Sequence, residues 1–251
     1  MKLALPARAK LNLDLAVIGR RGDGMHELRT QMESIDLHDL LEVETAEETS
    51  LSVSGLDVPA VAPNTVLLAQ AALEKTVGRP LPAKFKLHKR IPPGSGLGGA
   101  SSDAAAALRA MVAIHCLDVD LRQVAPTVGA DVTFFVRGGS ALFEGAGERV
   151  TPAAATAGWF ALAWPGIELS TAAVYRAWDE VKGEGANQLR RAAGHVDGRI
   201  DEFAARLGPG WQMTGSGSAF FRVCAQREEA VSATNGLECW TAVSQAVGAW
   251  A

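Results

Sequence analysis

The chain lacks the marks of several large classes of protein. It has three cysteines, Cys116, Cys224 and Cys239, set far apart and without C-x-x-C spacing. That argues against a disulfide framework or a cysteine zinc site and points to reduced thiols in a cytoplasmic protein. Cys116 and Cys224 stand among apolar residues and are expected in the core. No apolar stretch is long enough to span a bilayer, so no membrane association is expected. The start, Met1 to Pro6, is too short and interrupted for a signal peptide. Basic residues do not dominate. A formal net charge of −4 argues against a broad nucleic-acid surface. Local positive patches remain at Arg20-Arg21 and at Lys86 to Arg90, enough for a small anion. There is a single tyrosine, Tyr175, and neither an internal repeat nor a sustained heptad.

What is present concentrates at Pro92-Pro93-Gly94-Ser95-Gly96-Leu97-Gly98-Gly99-Ala100-Ser101-Ser102-Asp103. Four glycines are followed by two hydroxyls, an acid and the run Ala104 to Leu108. Glycine lets the backbone approach a ligand without a Cβ in the way. The alanine run is a strong helix former, so the stretch reads as a loop feeding a helix N-terminus. Backbone N–H groups and the positive dipole end there suit a phosphate. No lysine follows the glycines, which excludes the P-loop pattern. Gly94-x-Gly96-x-x-Gly99 satisfies the dinucleotide fingerprint, and Asp118 and Asp120 follow about twenty residues on. That fingerprint should follow a buried strand directly. Here Lys84 to Lys89 alternates as a half-exposed strand would, and Ile91-Pro92-Pro93 intervenes. The dinucleotide reading is set aside.

Elsewhere, Leu11, Leu13, Leu15 and Val17 alternate with polar residues and predict a strand, with Lys10, Asn12 and Asp14 sharing its other face. Gly19 to Leu28 reads as a charged hairpin or loop. Gln31 to Ile35 and Leu40 to Val43 read as strands joined by a turn at Asp36-Leu37-His38-Asp39. Pro63-Asn64 caps a predicted helix from Thr65 to Val77, closed by Gly78. Leu121 to Thr127 is weakly helical and Pro126 should interrupt or kink it. Gly129 to Val136 reads as an apolar, β-rich run with Asp131 at its entry, costly there unless exposed, paired or used. A further turn falls at Gly145 to Gly147, with a short strand from Glu148. The alanine-rich stretch Thr151 to Gly158 is the expected domain boundary, and the second half alternates strands and helices in α+β order.

Five segments in one order resemble the GHMP small-molecule kinases, and within them the branch that serves non-mevalonate isoprenoid biosynthesis. Pro6-Ala7-Arg8-Ala9-Lys10-Leu11-Asn12-Leu13 resembles that family's P-A-K-[IL]-N-L opening, with Arg8 inserted or shifted. Gly19 to Leu28 resembles G-R-R-x-D-G-Y-H-x-L, and Pro92 to Ala105 resembles P-x-G-G-G-L-G-G-G-S-S-D-A-A. Gly129-Ala130-Asp131-Val132 resembles G-A-D-[VI]-P, and Met213 to Ser218 is similar to the superfamily's C-terminal glycine loop. The resemblance implies a two-domain α+β GHMP kinase fold, an ATP-binding domain over residues 1–153 and a second over 154–251, with the active site in the interdomain cleft. It implies ATP and Mg²⁺, and transfer of the γ-phosphoryl group to the 2-hydroxyl of a cytidine-diphosphate-linked methylerythritol.

The same resemblance implies roles for single residues. Asp131 takes the place of the catalytic base and Lys10 that of its partner. Pro92 to Ser102 cradle the nucleotide, Asn64 lies on its adenine side, and Ser101 or Ser102 stands near the metal. Asn12, Met25, His26, Thr171 and Tyr175 fall at substrate positions. Met25 replaces the family's tyrosine, which puts cytidine selectivity in question, and Ala100 replaces a loop glycine. Two alternatives stay open: a kinase of this superfamily acting on another small alcohol, such as homoserine or a mevalonate-type substrate, or a non-catalytic nucleotide-binding protein on the same fold.

Overall fold

The structure is a computed structural model in which residues 1–22, 24–56, 64–145 and 149–250 are described. Asp23, Pro63, Gly147 and Glu148, which figure in the motif and turn expectations, lie outside those residues. The chain opens with β1 (Lys2–Asn12), β2 (Ala16–Arg20), β3 (His26–Thr45) and β4 (Ser50–Gly55). Then come α1 (Thr65–Val77), β5 (Ala83–Lys89), α2 (Gly99–Ile114), α3 (Leu121–Val128), α4 (Ala130–Arg137), β6 (Ser140–Gly145) and β7 (Arg149–Pro152). The 20-residue β3 organises this half. One edge pairs antiparallel with β1 and β2, the other with β5 and β6. β4 adds in parallel to β5, and β7 closes on β6, completing a seven-stranded sheet.

The sheet corrects two strand expectations. β1 ends at Asn12 instead of continuing to Val17, because Asp14 Oδ1 takes the Gln31 N–H at 2.6 Å and breaks the ladder. The run Asp36 to Asp39 is not a turn, and β3 passes through it with a bulge opposite Arg8 and Lys10. Both acids that suggested a turn are satisfied by protein instead. Asp36 Oδ1 accepts from Ser244 and from the Gln245 N–H, and Asp39 Oδ1 accepts from the Arg90 and Ile91 N–H groups.

The helices cover one face of the sheet. Asn64 caps α1 by accepting the Val66 N–H at 2.9 Å, and Gly78 closes the helix at φ 72°. α3 contains Pro126 and still runs to Val128. The expected β run at residues 129–136 is helical, with Asp131 in the first turn of α4. Val132, Phe134 and Phe135 are buried there against the core, so packing overrides the β propensity of the residues. Cys224 is buried as expected, whereas Cys116 is exposed, in the turn that ends α2.

The second half holds β8 (Trp159–Trp164), α5 (Thr171–Val181), α6 (Arg190–Val196), α7 (Arg199–Leu207), β9 (Gln212–Met213), β10 (Phe220–Cys224), α8 (Arg227–Thr234) and β11 (Trp240–Gln245). Its four strands form a separate sheet in the order β11-β8-β10-β9. An apolar cluster joins the halves, with Leu11, Ile35, Ile91 and Leu97 against Phe160, Leu162 and Phe221. The junction leaves a cleft lined from both sides.

Candidate active site

The cleft is a cavity of about 530 Å³. The first half lines it with Lys10, Asn12, Asn64, most of the glycine loop and Asp131. The second half contributes Glu168, Thr171, Tyr175, Gly215 and Ser216. Of the loop residues, Leu97 and Ser102 do not line it and are buried behind the wall, whereas Ser101 does.

The loop's shape follows from its glycines. Gly96 has φ 80°, and a Cβ there would meet the Gly217 and Thr214 carbonyl oxygens at 2.7 and 2.8 Å. Gly98 has φ 77°, and a Cβ there would meet the Phe135 ring at 2.7 Å. Both positions need left-handed backbone and close approach at once. The loop is held from both halves: Lys10 N–H donates to Leu97 O at 2.9 Å, and Ala219 N–H donates to Ser95 O at 2.8 Å. α2 starts at Gly99 without a side-chain cap, and its first intrahelical bond is Ser102 N–H to Gly98 O. The N–H groups of the first turn are thus left for a ligand, at the positive end of a 16-residue helix.

Lys10 is nearly inaccessible. Its ammonium donates to Asn12 Oδ1 at 2.5 Å and to Gly96 O at 2.6 Å. Asn12 Nδ2 donates to Thr30 Oγ1 at 2.9 Å, and the Asn12 N–H to Thr214 Oγ1 at 2.8 Å. Burial lowers the proton affinity of Lys10, and the charge of nearby Asp131 opposes that loss. The net shift is downward. Asp131 enters the cavity wall from the start of α4. The sequence had placed Lys10, Asp131 and the loop far apart; the fold brings them to one cavity.

At another part of the wall, Tyr175 lines the cavity and burial pushes its hydroxyl pKa upward. His26 stacks on Tyr175 with centroids 4.9 Å apart and meets Trp178 edge-on at 5.7 Å. His26 Nε2 lies 2.8 Å from Asp179 Oδ1. That bond and the charges of His26, Arg20 and Lys182 outweigh burial, which acts the other way, and leave Asp179 with a lowered pKa. His26 therefore borders the cavity through Tyr175 and is not part of its lining. Met25 does not line it either and is 50% exposed beside the β2–β3 turn. Thr171 Oγ1 lies 3.0 Å from Ser216 Oγ, tying α5 to the second glycine loop.

Sequence reasoning missed a buried triad. Lys89 donates to Asp103 Oδ2 at 2.6 Å and to Asp39 Oδ2, with all three side chains almost wholly buried. Burial pushes the Asp103 carboxyl up to about 8 against the pull of Lys89. The triad ties the end of β5 and β3 to α2, and so brackets the glycine loop. One signal was legible: in β5, Ala83, Phe85, Leu87 and Lys89 all face inward, so the alternation already put Lys89 on the core side. Asp179, Ser216 and Asn187 were also missed. Asn187 Nδ2 donates to Met213 O at 2.7 Å and Gly215 O at 2.9 Å, a bond that no local pattern announces.

Comparison with known proteins follows the same lines. The family model for the GHMP kinases N terminal domain matches residues 64–139. The chain is 33% identical over 270 residues to a 4-diphosphocytidyl-2-C-methyl-D-erythritol kinase of Caldicellulosiruptor saccharolyticus, covering 94% of this chain and 93% of the relative. It is 41% identical over 182 residues to a relative of the same name from Chromohalobacter salexigens, covering 69% of this chain and 60% of that one. The matched part of the latter is thus less than two thirds of its length. A crystal structure of a 4-(cytidine 5'-diphospho)-2C-methyl-D-erythritol kinase superposes with a TM-score of 0.80 at 33% identity, covering 97% of this chain and 99% of the other.

Proposed function

The chain belongs to the 4-diphosphocytidyl-2-C-methyl-D-erythritol kinases of the GHMP family, and we propose that it transfers the γ-phosphoryl group of ATP to the 2-hydroxyl of that cytidine-linked methylerythritol, a step of non-mevalonate isoprenoid biosynthesis. The observation that carries this reading is the meeting of Lys10, Asp131 and the uncapped start of α2 at one cavity. The N–H groups of the loop and first helical turn hold the phosphates of ATP. Asp131 takes the proton of the attacking hydroxyl, which is a poor nucleophile while protonated. Lys10, anchored by Asn12 and Gly96 O, stabilises charge on the transferred group. Asn64 borders the adenine side. Asn12, Thr171 and Tyr175 meet the acceptor, with His26 behind Tyr175. A domain division near residue 154 belongs to this reading, supported by the change of sheet between β7 and β8.

Magnesium fits this site as a phosphate-bound ion. Among the described residues no cluster of three His, Cys, Asp or Glu side chains could hold a metal. Ser101 brings a hydroxyl to the cavity, and Asp103, whose buried Oδ1 has no hydrogen-bond partner, also lines it. When bound, the ion would neutralise charge on the phosphates, which supply most of its ligands. Ser101 is the better of the two serines because Ser102 is buried behind the wall.

The test is an ATP-consumption assay with the cytidine-linked substrate beside homoserine and mevalonate. Turnover is expected with the first alone, and turnover with either other compound in its place overturns the reading. Tyr175→Ala removes the aromatic wall. It is expected to raise KM for the cytidine substrate roughly tenfold or more, as loss of a base-stacking partner does, with KM for ATP unchanged. Steady-state kinetics with each substrate varied in turn checks this.

A further inference from the structure

We infer that Arg8, Arg109 and Trp250 form a clasp that orients the helix carrying Asp131, which makes Trp250 and Arg8 positioning residues for phosphoryl transfer. The inference rests on the reading of Asp131 as the base. Beyond β11 the chain leaves the second sheet and runs along the first half. Ala246 bridges to Ile35 and Ala249 to Gly138, and Val247 N–H donates to Ser34 O at 2.9 Å. The run ends at Trp250, against the C-terminal end of α4. The last carbonyls of a helix have no partner within it, and in α4 Trp250 supplies two. Its N–H donates to Arg137 O at 2.9 Å and its indole Nε1–H to Phe135 O at 3.1 Å.

The indole is itself fixed by two cations. The Arg8 guanidinium carbon lies 3.8 Å from the ring centroid and that of Arg109 lies 4.0 Å away. Like charges oppose such a pairing, and burial, then Arg8, lower the pKa of Arg109 to about 10. Attraction of each cation to the ring offsets that cost. Arg109 Nη1 is buried with no hydrogen-bond partner, so the ring is a principal partner of that side chain. Arg8 also donates to Gly248 O at 2.9 Å. Arg8 is the residue by which the opening segment departs from the family pattern, and this contact gives it a use.

The clasp reaches the site through one residue. Phe135, whose carbonyl Trp250 holds, packs its ring against Gly98 of the glycine loop, where the Lys10 stem also approaches. One turn before it, Asp131 stands at the start of the same eight-residue helix. With so short a helix, its far end sets the direction of its first turn. A misplaced base costs rate more than binding.

Trp250→Leu and Trp250→Phe test this, with kcat, both KM values and the melting temperature measured on the full chain. Trp250→Leu is expected to lower kcat roughly tenfold with both KM values within about twofold of the original. Trp250→Phe keeps the stacked ring and loses only the Nε1 donor, so kcat should recover in part. If Trp250→Leu does not fold at the assay temperature, Arg8→Gln carries the same expectation and Arg8→Lys the partial recovery. A folded variant with the original kcat overturns the inference. So does a kcat loss that appears only with equal changes in both KM values. Failure of the underlying reading is separate, because it shows as absence of cytidine-substrate turnover in the unaltered protein.

Discussion

Asp131→Asn is expected to lower kcat by roughly 10²–10⁴-fold while leaving the affinity for ATP nearly unchanged. The amide is the same size and keeps the first turn of α4, but it cannot take a proton. Asp131 also supports the charge of buried Lys10, against the burial that lowers its proton affinity. The variant should therefore leave Lys10 easier to deprotonate, and the residual rate should fall further as pH rises. Single-turnover kinetics with nucleotide binding measured separately decides the matter. Loss of ATP binding with little change in the chemical step would mean that the residue holds the nucleotide and is not the base.

Lys89→Met is expected to destabilise the fold by about 3–5 kcal/mol, the cost of leaving a buried charge without its partner. Asp39 would keep only the Arg90 and Ile91 N–H groups, at 2.5 and 2.8 Å, in a site with no access to water. Asp103→Asn should be milder, about 1 kcal/mol, because burial raises the pKa of the carboxyl it replaces and so favours the neutral form that the amide resembles. Urea unfolding of both variants measures the difference. Equal damage from the two would mean that both acids are ionised and that Lys89 serves them alike. Since the triad brackets the glycine loop, Lys89→Met should also weaken ATP binding in whatever fraction stays folded.

Much of the site was legible in the sequence wherever a residue acts through its own backbone. The glycine turns of the loop, the helix that follows them and the Asn64 cap of α1 are local properties, and the structure has all three, with the helix already under way at Gly99. Reading failed where a side chain had a distant partner. Asp36 and Asp39 look like turn residues until Ser244, Gln245 and the backbone after Lys89 supply partners from 51 to 209 residues away. Residues 129–136 look like a strand until Phe134 and Phe135 find a core that accepts them in a helix.

By itself, then, the sequence determined the chemistry on offer: a glycine-rich loop feeding a helix without a P-loop lysine, one acid and one lysine in recognisable settings, and the order in which they come. Only the tertiary structure decided which of them meet. It placed Lys10 and Asp131 at one cavity, turned Ser101 toward it and Ser102 away, left Met25 exposed outside the lining, and buried Lys89 between two acids. The reason is physical. Backbone conformation is set over a few residues. Burial, charge pairing and the direction of a side chain depend on which segments the core brings together.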